Sequence, residues 1–491
     1  MSDLPKFNLG IDWGTTFTKV CVRDETETSQ AVTFGGKTLA GSLLLSRIGI
    51  FSNGRLLAGL TAEEWEKPQS PNMIPINFIK MRLANVDLPR ETYLFEFTQL
   101  PSHKSNDLNA KENLENLGAY YLSVVIRKAK EWFDEESLLE QWSANVGVPV
   151  EYQDSPANEC FERVLRLAWL LTQEAQEGKI NLEDLKFKEL QEKCRALRND
   201  LNDEIPCFAV PEVAAGTYFY IKSQKARAGD YLYVDIGGGT TEFCSFQFSL
   251  EQGEEKIDAI KAYAPPIGID AIADGIASES GLQFEEVREE LNDDKSTSLK
   301  EDIESLIREL NIKPERGEYI AAATTSEPTC CLSQEAIERK KSEYSSRQRM
   351  LLELMLWQRA IHLLASKRSA KTQEVLLGGG GRESKFYKNA LKSTYTSFRQ
   401  EKNSDRYSEF ELDDVENSDQ LNLSAQFNMN EIPQRNFHRF AIAFGLSIPS
   451  YKMPDFQLPS FWKPRPSSLN QGGVKKILDH LNPSTADWRD K

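Results

Sequence analysis

Paired cysteines are the first thing this sequence lacks. Its 7 cysteines include no CxxC spacing, and an odd number of scattered thiols, from Cys21 to the adjacent Cys330 and Cys331, reads as small buried residues in a reducing compartment. Histidine is nearly as scarce, with only 4, at His103, His362, His438 and His480; positions so widely scattered do not build a zinc site. No apolar run reaches the roughly 18 residues of a membrane span, and the opening MSDLPKFNLG has neither the basic nor the apolar region of a signal peptide, so a cytoplasmic chain is expected. Positive charge is in deficit: 59 Lys and Arg stand against 75 Asp and Glu, a formal net charge of −16, which argues against nucleic acid or an anionic membrane as partner. Two nucleotide-binding motifs are missing as well. There is no GxxxxGK[ST], which removes a P-loop, and no GxGxxG opening a helix after the first strand, which disfavours a Rossmann dinucleotide site.

What is present begins with length. A chain of 491 residues exceeds the roughly 250–300 over which one hydrophobic core stops growing, so at least two lobes are expected. From Phe7 to Val22, FNLGIDWGTTFTKVCV reads as an apolar strand, a Gly-Thr-Thr turn and an alternating strand, which is a β-hairpin. YLYVDIGGGTTEFCSFQF, from Tyr231 to Phe248, repeats the plan: apolar strand, aspartate, glycine-rich turn with threonine, alternating strand. A third glycine cluster, EVLLGGGGRESKFY, follows a strand at Glu374–Leu377. Between them lie amphipathic helical patterns, one with Leu117, Tyr120, Tyr121, Val124 and Val125 on a single stripe and another around Leu351–Leu364. Charge-rich helical stretches near 177–204 and 285–310 read as solvated faces. From Pro449 onward the frequent prolines, with Phe456, Phe461 and Trp462 among them, read as an extended tail, either folded back on the body or presented to a partner.

A Gly-Thr turn between strands can bring successive backbone N–H groups onto one anion, because glycine has no Cβ to hold the anion away. Threonine hydroxyls add donors. A neighbouring aspartate repels bare phosphate, so Asp12 and Asp235 beside such turns make sense with a cation between, and Mg²⁺ binds carboxylates together with nucleotide phosphates.

GIDWGTTFTKV, VDIGGGTTEF and VLLGGGGRESKF, in that order, resemble the two phosphate motifs and the adenosine motif of the nucleotide-binding domain of DnaK-type heat-shock (heat shock protein 70) chaperones, in the superfamily of actin and the sugar kinases. Further stretches run collinear with that family: NMIPINFIKMRL, ANVGVPVEYQDS with Pro149 at the switch proline, VPEVAAGTYFY and FAIAFGLS. The resemblance covers 1–448. It implies an α/β, two-lobed actin-like (ribonuclease H-like) fold with ATP or ADP and Mg²⁺ in a central cleft. The implied domains are lobe I at 1–205 with a helical insertion near 177–204, lobe II at 206–448 with a helical subdomain near 270–365 and a closing helix near 437–448, and a tail at 449–491. By position, Gly14, Thr15 and Thr16 would meet the phosphates from one side and Gly237, Gly238, Gly239 and Thr240 from the other. Asp12 and Asp235 would hold magnesium through its waters; Lys80 would meet the γ-phosphate and Glu212 orient the attacking water. Glu242 would complete the catalytic acids. Gly378, Gly379 and Arg382 would face the adenosine, as would Glu304 and Arg308.

The departures are part of the reading. Glu242 stands where the family shows aspartate, Ile307 where it shows lysine, Arg439 where it shows an acid, and Ala157 where it shows a relay arginine. The peptide-binding domain and lid are expected to be absent, since only 449–491 follow the closing helix. The implied function is a heat-shock-70-like ATPase that hydrolyses Mg-ATP slowly to switch contacts with a protein partner, through the tail or the acidic helices. The alternatives are a non-catalytic nucleotide-sensing scaffold and an actin-like filament former; a sugar kinase fits least.

Overall fold

The computed structural model describes residues 5–288 with breaks, the longest at 88–101, and then 374–384, 387, 411–414 and 427–458. Glu304, Arg308, Ile307, Cys330, Cys331, the helices expected near 285–310 and 351–364, and the tail beyond 458 lie outside the described residues.

Alternation along the first strand, β1 (Phe7–Trp13), sets the plan. Leu9, Ile11 and Trp13 join a large apolar core on one face, which leaves Asn8, Gly10 and Asp12 on the other. The other strands are β2 (Phe17–Arg23), β3 (Ser29–Ala31), β4 (Leu44–Leu45), β5 (Ile48–Ile50), β6 (Leu56–Leu57), β7 (Ile74–Ile76), β8 (Ser102–His103), β9 (Asn106–Asp107), β10 (Trp142–Val148) and β11 (Cys207–Pro211). After them come β12 (Gly229–Ile236), β13 (Thr241–Glu251), β14 (Glu254–Tyr263), β15 (Glu374–Gly378), β16 (Glu411–Asp414), β17 (Phe427–Asn428) and β18 (Asp455–Gln457). The first main sheet runs β11-β10-β1-β2-β3-β17, with β4 on β2; the second runs β16-β15-β12-β13-β14-β18. Both mix parallel and antiparallel pairs, so the fold is mixed α/β.

Among the described helices are α1 (Ala62–Glu66), α2 (Ile79–Asp87), α3 (Lys111–Asp134), α4 (Pro156–Gln176), α5 (Phe187–Leu197), α6 (Glu212–Ile221) and α7 (Ala441–Leu446). The stripe expected on α3 is buried, Leu117 and Tyr121 fully, and packs with Phe161 and Val164 of α4 over Leu9 and Ile11. Helix α4 starts at a Ser155 cap whose hydroxyl accepts from the Ala157 amide, with Pro156 in the first turn where its missing N–H is no loss. The charged stretch expected as a solvated helix at 177–204 is helical as α5 over a shorter span. It also buries a stripe of Phe187, Leu190, Cys194 and Leu197, because its charges occupy only the opposite face.

A second apolar core draws Cys21 and Ala31 from the first sheet, Tyr231, Tyr233 and Phe246 from the second, and Phe219 of α6 with Phe444 of α7. Helix α7 lies on the polar face of β1. The Asn8 side-chain amide donates to Leu446 O (3.2 Å) and Ser447 O (2.8 Å), and that of Asn145 to Leu446 O (2.8 Å) and Ile448 O (2.9 Å).

The sheets do not divide at the expected 205/206 boundary. Strand β11, beyond it, pairs in parallel with β10 in the first sheet, which also takes β17 from far downstream. The described start of the tail forms β18, parallel to β14, with Met453, Phe456 and Leu458 packed on the second core. Cys21, Cys160, Cys194, Cys207 and Cys244 are buried thiols outside any disulfide, and burial pushes the Cys194 thiol up to about 12. Among the described residues, no helix is long and apolar enough to cross a membrane.

Candidate functional site

Each glycine turn is positioned by its hairpin and held from behind by a different device. In the first, pairing of β1 with β2 sets Asp12 directly opposite Lys19, whose Nζ lies 2.5 Å from Asp12 Oδ2. The Gly14 amide donates to Asp12 O (3.0 Å), so the amides left for a ligand are those of Thr15 and Thr16. Side chains then pin the turn in a chain of donors: Tyr121 hydroxyl to Thr18 Oγ1 (2.8 Å), Thr18 to Ser46 Oγ (2.9 Å), Ser46 hydroxyl to Gly14 O (2.6 Å). The Ser46 amide takes Thr16 O at 2.9 Å.

In the second hairpin the same register sets Asp235 opposite Glu242. Gly237 N–H donates to Thr240 O (2.9 Å) to close the turn, and backbone holds it from behind. The carbonyls of Gly239, Gly237 and Gly238 accept from the amides of Gly268 (3.1 Å), Ile269 (3.0 Å) and Asp270 (2.8 Å). With those carbonyls engaged, the turn has its remaining amides to offer. The two turns touch: Thr16 donates to Asp270 Oδ2 (2.6 Å), and a side chain at Gly238 would run into Thr16 Oγ1 and come within 2.7 Å of that same carboxylate.

Four acids and two lysines gather behind these turns. Lys80, near the start of α2, and Glu212, the first residue of α6, are both buried and paired at 2.5 Å. Burial opposes the charged Lys80, but Glu212, aided by Asp12 and Tyr152, outweighs it and leaves the ammonium above its usual pKa. Asp235 has no such partner; burial, then Glu212 and Asp12, push it up to about 7. Burial, then Glu212, drives Glu242 up likewise, against the pull of the Val150 amide that donates to its Oε1 at 2.6 Å. Glu242 Oε2 is buried with no hydrogen-bond partner. Tyr233 donates to Asp235 Oδ1 at 3.4 Å, its hydroxyl lodged where side chains at Gly216 or Gly378 would collide with it.

A cavity of about 320 Å³ opens onto this cluster. Of the residues singled out in sequence, it is lined by Asp12, Gly14, Thr15 and Thr16 from the first sheet side, by Lys80 and Glu212, and by Asp235, Gly237, Gly238, Thr240 and Gly379 from the second. Four others do not line it. Gly239 packs against Thr15 and Met81, Gly378 makes room for Tyr233, and Glu242 sits behind the cavity against Val150. Arg382 is 1% exposed, its Nε turned to Glu383 Oε1 at 3.0 Å. Arg439, marked in the sequence as a departure from the family, lines it too, and Lys19, Asp270, Arg288 and Glu383 line it unforeseen. Lys19 had a signal, since a hairpin whose four-residue loop runs 14–17 pairs residue 13 with 18 and sets residue 19 opposite residue 12. Asp270 and Arg288 had none, because tertiary packing brings them in.

Among the described residues, no group of three or more His, Cys, Asp or Glu side chains is placed to hold a metal ion by itself. The carboxyls of Asp12 and Asp235, both lining the cavity and close enough to repel each other, nevertheless suit a cation held partly through water. No protein-family model and no curated protein matches the chain, so the chemistry of the site rests on its own geometry.

Proposed function

We propose that the chain is a two-lobed, actin-like ATPase, similar to the nucleotide-binding domain of DnaK-type chaperones, that takes Mg-ATP into this cleft and hydrolyses it slowly to switch contacts with a protein partner. One observation carries the reading: Gly-Thr turns from two different sheets meet at one cavity that also holds a buried lysine–glutamate pair and two buried aspartates. In this reading the amides of Thr15, Thr16 and the 238–240 turn, with the threonine hydroxyls, bind the terminal phosphates. Asp12 and Asp235 would hold Mg²⁺ through water, and the ion would supply charge neutralisation for the bound phosphates. Lys80 donates to γ-phosphate oxygens as charge spreads onto them. Glu212 then accepts a hydrogen bond from the attacking water and aims it at phosphorus.

A second reading, a nucleotide-sensing scaffold without turnover, is favoured by the Lys80–Glu212 pair itself. At 2.5 Å each neutralises the other, and a ligand must separate them before either can act. Single-turnover hydrolysis of Mg-ATP decides between the two. The ATPase reading expects cleavage that collapses by about 100-fold or more in Lys80→Ala and in Glu212→Ala while nucleotide still binds. Binding without cleavage in all three proteins leaves the scaffold, and no binding removes both.

A further inference from the structure

The cavity has two ends of opposite charge. At the strand ends, Asp12, Glu212 and Asp235 outnumber Lys19 and Lys80. At the other end the third glycine turn, Gly379–Gly381, faces Arg288 and Arg439, with Arg382 close enough to repel Arg439. The carboxylates there are committed elsewhere. Asp270 Oδ1 lies 2.7 Å from Arg288 Nε while its Oδ2 accepts from Thr16, and Glu383 holds Arg382. Arg439 has no carboxylate within ion-pair distance among the described residues, and its Nε is buried with no hydrogen-bond partner. Burial, then the neighbouring Arg288, hold its pKa below the usual arginine value against the pull of Glu383. Among the described residues, a Cβ built at Gly380 meets only Arg439 Nη1, at 3.5 Å.

A guanidinium kept half-buried beside two others, over a glycine turn without side chains, is a cradle waiting for an anion. Its planar fork suits phosphate, taken through two parallel hydrogen bonds. Resting on the nucleotide reading above, we propose that this end of the cleft reads a phosphate on the ribose, so that the preferred ligand is a nucleotide phosphorylated both on its 5′ chain and at the 2′ or 3′ hydroxyl. The 5′ phosphates need a cation at the acidic end; the ribose phosphate binds the arginines directly.

Titration calorimetry with Mg²⁺ tests this, using ADP, its 2′-phosphate, its 3′-phosphate and GDP. One of the two ribose-phosphorylated ligands is expected to bind about tenfold or more tightly than ADP, the worth of one charge-assisted contact. That ratio is expected to fall toward one in Arg439→Gln, with Arg288→Gln as a second variant should the first fail to fold. Equal affinity for all three adenine nucleotides overturns the proposal and leaves the nucleotide reading intact. A gain that belongs to GDP overturns it in favour of base readout, since arginine also pairs with guanine. A ratio that survives in both variants overturns it too. If no nucleotide binds, the underlying reading has failed and this inference falls with it.

Discussion

The two hairpins share one register and invert one charge. Asp12 faces Lys19 across the first, and Asp235 faces Glu242 across the second. Opposite charges on directly paired strand positions stabilise a sheet and like charges destabilise it, so one half of the site is self-sufficient while the other is held in debt to something it does not contain. The supports differ in kind as well. Side-chain hydroxyls fasten the first turn and backbone amides the second, so the first can be loosened by mutation in small steps and the second cannot.

The largest effect expected from this asymmetry is in pH. An aspartate is ordinarily half-protonated near pH 4, and Asp235 is raised to about 7. The folded state therefore binds the extra proton, and stability is greatest below the lower value and is lost as pH climbs through the higher. Urea melts without divalent ions should lose about 4 kcal/mol between pH 4 and pH 7 from this group, three units at 1.36 kcal/mol each. Asp235→Asn should flatten that slope; an unchanged slope would dissolve the comparison. Lys19→Met comes next, expected to cost about 3 kcal/mol in the same assay at neutral pH by leaving Asp12 buried without its partner. Gly238→Ala, which drives a methyl into Thr16 and Asp270, should cost about 2 kcal/mol and weaken any phosphate ligand. Glu242→Gln should have the opposite sign and stabilise by about 1 kcal/mol at the alkaline end of the same titration, since an amide carries no charge into a site where burial disfavours one. Smallest is Tyr121→Phe, which takes one link from the hydroxyl chain behind the first turn and should cost just under 1 kcal/mol.

Much of this was legible in the sequence because local rules governed it. Period-two alternation around Gly-Thr turns located both hairpins and the acids at their ends, and the 3.6-residue stripe located α3. What stayed hidden depends on how the chain closes on itself. Whether Arg382 or its neighbours face the cavity turns on the path of the 379–384 turn, where a shift of one residue exchanges a buried side chain for an exposed one. The 177–204 stretch was read from its charges, whereas α5 is positioned by the four apolar residues between them. Asp270 reaches Thr16 across 254 residues of sequence, a contact no local pattern encodes.

The grip of Asn8 and Asn145 on α7 has a consequence in time. These side chains are buried in β1 and β10, and the carbonyls that accept from them belong to residues 446–448, up to 439 positions later. A buried amide without its acceptor costs about 1–3 kcal/mol, so the opening sheet cannot close its inner face while synthesis is under way. Until residues 446–448 are in place that face stays open, and contacts closed over so long a separation in sequence slow folding.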